Sequence, residues 1–265
     1  MPELYQRLEA AILETHALTK CELAGSLLAD WRSGSLERGS NAEILPIDDP
    51  GRAAQPRLVD PRELERRSVA TSDGRLRLLH AFAHIEFNAI NIALDAAYRF
   101  RSMPDSFVDD WLLVASEEAL HFRLLLDTLH ARGSDYGEFA AHSGLWDMVC
   151  KTRDDVLHRM ALVPRVMEAR GLDVTPAMIT KFRQFEDIDA VAILERIYAD
   201  EIGHVRIGNH WFLDLCRQRR LDPQDTFREL VDAHMGGKLR GPFNWPARLE
   251  AGFEQSELEA LERVS

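Results

Sequence analysis

Glu118-Ala-Leu-His121 and Glu201-Ile-Gly-His204 are two copies of one tetrad, Glu-x-x-His, each set in sequence of helical period. Each follows an isolated carboxylate on an apolar stripe: Glu86 stands 32 residues before Glu118, and Glu168 stands 33 before Glu201. At i, i+3 the Glu and His side chains lie one above the other on a helix, so both reach one metal ion. Two such pairs, with a lone Glu from each partner helix, give four carboxylates and two imidazoles. That is the ligand set of a dinuclear metal site inside a four-helix bundle. A single Glu-x-x-His usually means a solvated glutamate and an unrelated histidine; two copies at matching offsets do not read that way.

The stripes support this. Around Glu86 the i±3, 4 and 7 positions are Leu79, Phe82, Ala83, Ala89, Ile90 and Ala93. Around Glu118 they include Trp111, Val114, Ala115, Phe122 and Leu125; around Glu201, Leu194, Ile197, Tyr198, Val205 and Gly208. An ionised carboxylate on such a face is costly unless paired or bound to metal. Glu168 is the weakest member, close to its helix end and on a stripe with Arg165; Glu195 and Glu186 are the fallbacks. Carboxylates with two imidazoles suit two iron ions, with manganese the alternative and zinc or cobalt as substitutes. An acid precedes each tetrad, Glu117 and Asp200, placed either to accept the second N–H of a ligand histidine on a neighbouring helix or simply to face solvent. Tyr198, one turn before Glu201, is the candidate for electron or hydrogen-atom transfer, against its plainer role as a core tyrosine.

Residues 1–71 read as an N-terminal arm, helical over 3–32, and a Pro/Gly-rich strap over 33–61. Residues 72–220 hold four long helices, expected at 72–101, 106–132, 145–170 and 187–219. Asp105 or Ser106 is placed to cap the second, Pro164 to bend or bulge the third, and Gly171 to end it. A short helix is expected from Pro176, capped by Thr175. Residues 221–265 read as a tail with a loop at Gly241-Pro242-Phe243-Asn244-Trp245 and a closing helix over 254–264. The first turn is so short that helices one and two must be antiparallel. The stretch from Gly133 to Gly144 spans about 40 Å when extended, enough to cross a bundle and leave helices two and three parallel.

The 265 residues carry a formal charge of −12, which argues against broad binding to nucleic acid or an anionic membrane. Three widely spaced cysteines, Cys21, Cys150 and Cys216, argue against a disulfide framework, and with no signal peptide or spanning segment the expected compartment is the cytoplasm. His80 and His84 point away from Glu86 and read as satisfied buried histidines; Trp111, Trp146 and Trp211 read as core anchors.

The ligand set Glu86, Glu118/His121, Glu168 and Glu201/His204 resembles that of the ferritin-like di-iron carboxylate superfamily. Its members include ferritins, rubrerythrins, bacterial multicomponent monooxygenases and the tRNA hydroxylase that modifies isopentenyl-adenosine. The strings His80-Ala-Phe-Ala-His84-Ile-Glu86, Val163-Pro-Arg-Val-Met-Glu168-Ala-Arg-Gly-Leu-Asp173 and Gly241-Pro-Phe-Asn244 resemble more closely an uncharacterised bacterial ferritin-like family, over residues 45–253. The resemblance implies an all-α ferritin-like four-helix bundle with a long crossover between helices two and three. It also supports Glu168 as a ligand. The expected function is an O2-activating di-iron oxidoreductase acting on a small organic substrate, fed by an external electron donor, with a homodimer expected rather than a ferritin cage. The alternatives are a ferroxidase-type iron-handling protein and a metal-free helical interaction module.

Overall fold

The computed structural model describes residues 3–39, 43–65, 68–237 and 239–264. Among the described residues all regular structure is helical, and two isolated bridges, Glu3 to Glu37 and Leu58 to Ala141, stand where strands would be. The chain forms two compact units, Met1–Cys150 and Lys151–Ser265.

The first unit contains α1 (Leu4–Leu13), α2 (Ala17–Arg32), α3 (Ser72–Arg99) and α4 (Asp105–Ala131), and most of α5 (Gly144–Lys151). The arm is two helices, because the chain is extended at Glu14 and His16 starts a new one, its Nδ1 accepting from Thr19 N. Thr71 caps α3 through Gly74 N at 3.0 Å. For α4 the expected cap is replaced: Pro104 is extended and its carbonyl accepts from Phe107 and Val108 N–H. Asp105 therefore lies inside the first turn, where its charge favours the helix dipole.

From Glu86 to Arg99 every residue of α3 is buried, so the helix is covered on all sides. One side carries Glu86. The other carries a seam of polar residues at steps of three or four: His80, His84, Asn88, Asn91, Asp95 and Arg99. Each is satisfied within the unit. His80 Nε2 accepts from Gly137 N at 2.9 Å, and His84 Nδ1 lies 2.9 Å from the Tyr136 hydroxyl. Asp95 pairs with Arg99 at 2.6 Å, and Asn91 accepts from Lys20. Lys20 also donates to the carbonyls of Ile12 and Gly51, both at 2.8 Å, fastening α1, the strap and α3 at one ammonium. Burial pushes this ammonium down to about 7. The strap closes so tightly here that a Cβ on Gly51 would run into the Leu13 carbonyl. Farther along, Trp146 Nε1 donates to the Asp48 carbonyl at 3.0 Å. Trp111, Trp146 and Trp211 are all buried, as expected of core anchors.

The second unit departs further from expectation. The helix expected over 145–170 is interrupted: α5 stops at Lys151, and Asp155 caps a new helix, α6 (Val156–Leu162), through Leu157 N at 2.8 Å. The expected disturbance at Pro164 is a π-helical segment, Val163–Glu168. Proline cannot donate its i−4 bond, and the wider turn absorbs the extra residue. The segment lies close on α8 (Ile188–Arg219), where Gly208 has no room for a Cβ against Pro164. Gly171 does not end the helix. α7 (Ala169–Gln184) runs through it and through Pro176. The carbonyl that Pro176 leaves without a helical donor, that of Leu172, accepts from Asn244 Nδ2 at 3.0 Å. The Gly241–Trp245 loop thus completes α7, and a buried Arg248–Asp173 pair at 2.9 Å fastens it there. α9 (Pro223–Met235) and α10 (Trp245–Glu250) were not expected; α11 (Gln255–Val264) was. Asp222 before Pro223 is a cap-and-proline start signal, and it accepts from Asp225 N.

Candidate metal centre

In the first unit α3 presents Glu86 and α4 presents Glu118 and His121. All three are buried, with Glu118 and His121 fully enclosed. Their ligand atoms lie within 4.8 Å of one another. His121 Nδ1 sits 3.3 Å from Glu86 Oε2 and 3.3 Å from Glu118 Oε2, so two carboxylates converge on one ring nitrogen. The electrostatics follow from that crowding. Burial, and then the Glu118 charge, push the Glu86 carboxyl up to about 8. Burial opposes the His121 imidazolium, but hydrogen bonds and charge from Glu118 and Glu86 outweigh it and raise that group to about 11. Without another cation, protons must hold this cluster together. A divalent ion can take their place, because its ligands are the deprotonated forms of the same groups. The donor set therefore fits a metal.

The second unit repeats the tetrad on α8, with His204 Nδ1 3.4 Å from Glu201 Oε1. His204 is buried, while Glu201 is partly exposed. Glu168 is the last residue of the π segment and is half-buried. Arg165, which shares its stripe in sequence, does not pair with it. The Arg165 guanidinium turns into a cage made by the rings of Phe212, Phe227 and Phe253, 4.3 to 4.7 Å from their centroids, and bonds Asn209 and Glu257. Three residues along an α-helix return to nearly the same face, whereas along a π-helix of about 4.4 residues per turn they fall well short of it. The bulge separates the acid from the cation. The fallback carboxylates lie on the surface: Glu195 pairs with Arg183, and Glu186 occupies an exposed left-handed turn at φ 56°.

Of the remaining predicted residues, Asp200 accepts from Arg196 Nε at 2.6 Å, and Glu117 is half-buried on α4. The Tyr198 hydroxyl accepts from Asn244 Nδ2 at 2.9 Å, which ties it to the loop that completes α7. Sequence reasoning missed Tyr136, whose hydroxyl meets His84 and whose ring stands 5.1 Å from Phe122, the neighbour of His121. It lies in a polar loop outside any helical stripe, so periodicity gives no signal for it.

Residues 13–259 match the family described as "Protein of unknown function (DUF455)". An "Uncharacterized protein" of Haemophilus influenzae is 44% identical over 274 residues, covering 99% of this chain and 94% of that protein. No solved structure matches. No helix among the described residues is long and apolar enough to cross a membrane.

Proposed function

This chain belongs to the DUF455 family, and we propose that it is a dinuclear-metal oxidoreductase of ferritin-like architecture that activates O2 for reaction with an organic substrate. The observation that carries the reading is the convergence of Glu86 and Glu118 on His121 within an enclosed part of α3 and α4. The second tetrad, with Glu168 upstream, supplies the other half of the ligand set, and this step rests on the duplicated spacing. Two bound irons, or manganese in their place, would supply the electrons and the binding site for reducing O2.

The chain's own residues would do the rest. Glu86, Glu118 and His121 hold one side of the centre from two regular helices, so their geometry is set before any ion arrives. The apolar surroundings, Leu79, Ile90, Trp111 and Phe122, are buried and exclude water from that side. Ala83, Ala115 and Ala119, close to the ligands in sequence, are small and buried. No flavin or ferredoxin motif is present in the sequence, so electrons would come from a separate donor.

Metal analysis of protein purified from iron-supplemented cells tests the reading. About two equivalents of iron or manganese per chain are expected; protein that carries no transition metal would return the chain to the class of helical interaction modules. Size-exclusion chromatography separates the remaining alternative, since a shell of many subunits would mark an iron-storage protein.

A further inference from the structure

His84, on the polar seam of α3, meets the hydroxyl of Tyr136 on the side of the helix away from Glu86. His84 Nε2 lies 3.1 Å from the His142 carbonyl, which can only accept, and 3.1 Å from Asn88 Nδ2, whose amide also donates to the His84 carbonyl at 2.7 Å. With the ring hydrogen on Nε2, toward His142, Nδ1 is an acceptor and the Tyr136 hydroxyl, 2.9 Å away, donates to it. The Tyr136 ring is held between aromatic neighbours: His80 stacks on it at 5.3 Å, while Phe122 and Phe87 stand at 5.1 and 5.6 Å. Phe122 follows His121 in the chain and Phe87 follows Glu86, and these two rings are 5.5 Å apart. A phenol, its proton acceptor and a ring path toward two ligand positions are therefore assembled within one unit. Two other tyrosine hydroxyls have different partners: Tyr98 bonds Glu9 and Leu45 N, and Tyr198 bonds Asn244.

We propose that Tyr136 is a one-electron relay, losing its electron toward the Glu86–Glu118–His121 cluster while its hydroxyl proton passes to His84 Nδ1. The oxidised phenol is a neutral tyrosyl radical and His84 becomes imidazolium. The oxidant is the oxidised metal pair of the proposed function, on which the direction of transfer rests. An external one-electron donor restores the tyrosine, and the proton returns from His84. Hydrogen bonding lets proton and electron leave together, so no phenol cation is formed inside a low-dielectric site. Tyr136 is largely enclosed but keeps partial access to solvent, from which a donor can reach it.

The relay is tested in two arms. In the first, full-length metal-free protein is oxidised with flash-generated ruthenium(III) tris-bipyridine, and the tyrosyl radical is followed by transient absorption and EPR. The wild type is expected to form the radical, Tyr136→Phe to lose it, and Tyr198→Phe to keep it. His84→Gln, checked for folding by circular dichroism, should slow formation about tenfold, which is about 1.4 kcal/mol of barrier. An undiminished radical in Tyr136→Phe, or an unchanged rate in His84→Gln, overturns the proposal. In the second arm, reduced metal-loaded protein is mixed with O2 and freeze-quenched. A radical that disappears in Tyr136→Phe supports the relay, and no radical in protein holding two metal ions overturns it. If the protein binds no metal, the proposed function falls, and the first arm alone decides whether Tyr136 and His84 form a redox pair.

Discussion

The two halves of the duplicated motif carry the same residue types at nearly the same spacing, but the backbone treats them differently. Glu86, Glu118 and His121 sit in the middle of two long regular helices and are enclosed. Glu168 sits at the end of a π segment, and both it and Glu201 keep partial access to solvent. Enclosure raises the cost of the bare carboxylates and gives the first half a strong preference for a cation. The second half instead has one carboxylate at the end of a π segment, a local departure from α geometry that neighbours must hold in place. In the proposed centre one half would be a fixed socket, and the other would be the side that adapts.

Glu118→Ala should have the largest effect, removing metal binding altogether, because it takes away a fully buried ligand that contacts His121; metal analysis that still finds two equivalents would mean the ligands are wrongly assigned. Glu168→Gln should be milder, lowering the content from about two equivalents to about one. Equal losses from both variants would erase the distinction between socket and adaptable half. Glu257→Ala leaves Arg165 buried without its carboxylate, which costs about 3–5 kcal/mol. Urea unfolding measures this, and a change within experimental scatter would show that the cage of phenylalanines holds Arg165 unaided.

The smallest effect is a pH dependence of the metal-free protein. Glu86 is raised to about 8 from an ordinary 4.5, so its contribution is complete below 4.5 and is lost as pH rises through 8. His121 is raised to about 11 from 6.5, so its contribution is complete below 6.5 and is lost as pH rises through 11. Chelator-treated protein should therefore melt at falling temperature as pH rises from about 6 to about 9, and metal should flatten the curve. A chelated protein whose melting temperature climbs over that range would contradict the proton-held cluster.

Much of this was readable from spacing. The starts of α3 and α8, the disturbance at Pro164 and the union of Glu86 with the first tetrad follow from period, caps and stripe composition. What was not readable depends on partners distant in sequence. Gly171 and Pro176 look like a stop and a restart, but Asn244 and Arg248 carry α7 through both by taking its carbonyls and Asp173. The α3 seam breaks the apolar pattern with His80, His84, Asn88 and Asn91, and only the packed loop and arm reveal why they are buried. Arg165 looked like a neighbour of Glu168 because a sequence carries no mark of a change from 3.6 residues per turn.

The contacts that complete α7 impose an order on synthesis. A chain emerges from its N-terminus, and Arg165 appears 92 residues before Glu257, while Asp173 appears 75 before Arg248. The fastenings of the first unit described above, from Lys20 on Asn91 to Trp146 on Asp48, lie within its own 150 residues. It can close while the second unit still has an unpaired guanidinium and an unfinished helix. The socket half of the proposed centre is then ready first, before the unit that carries the second tetrad has its last fastenings.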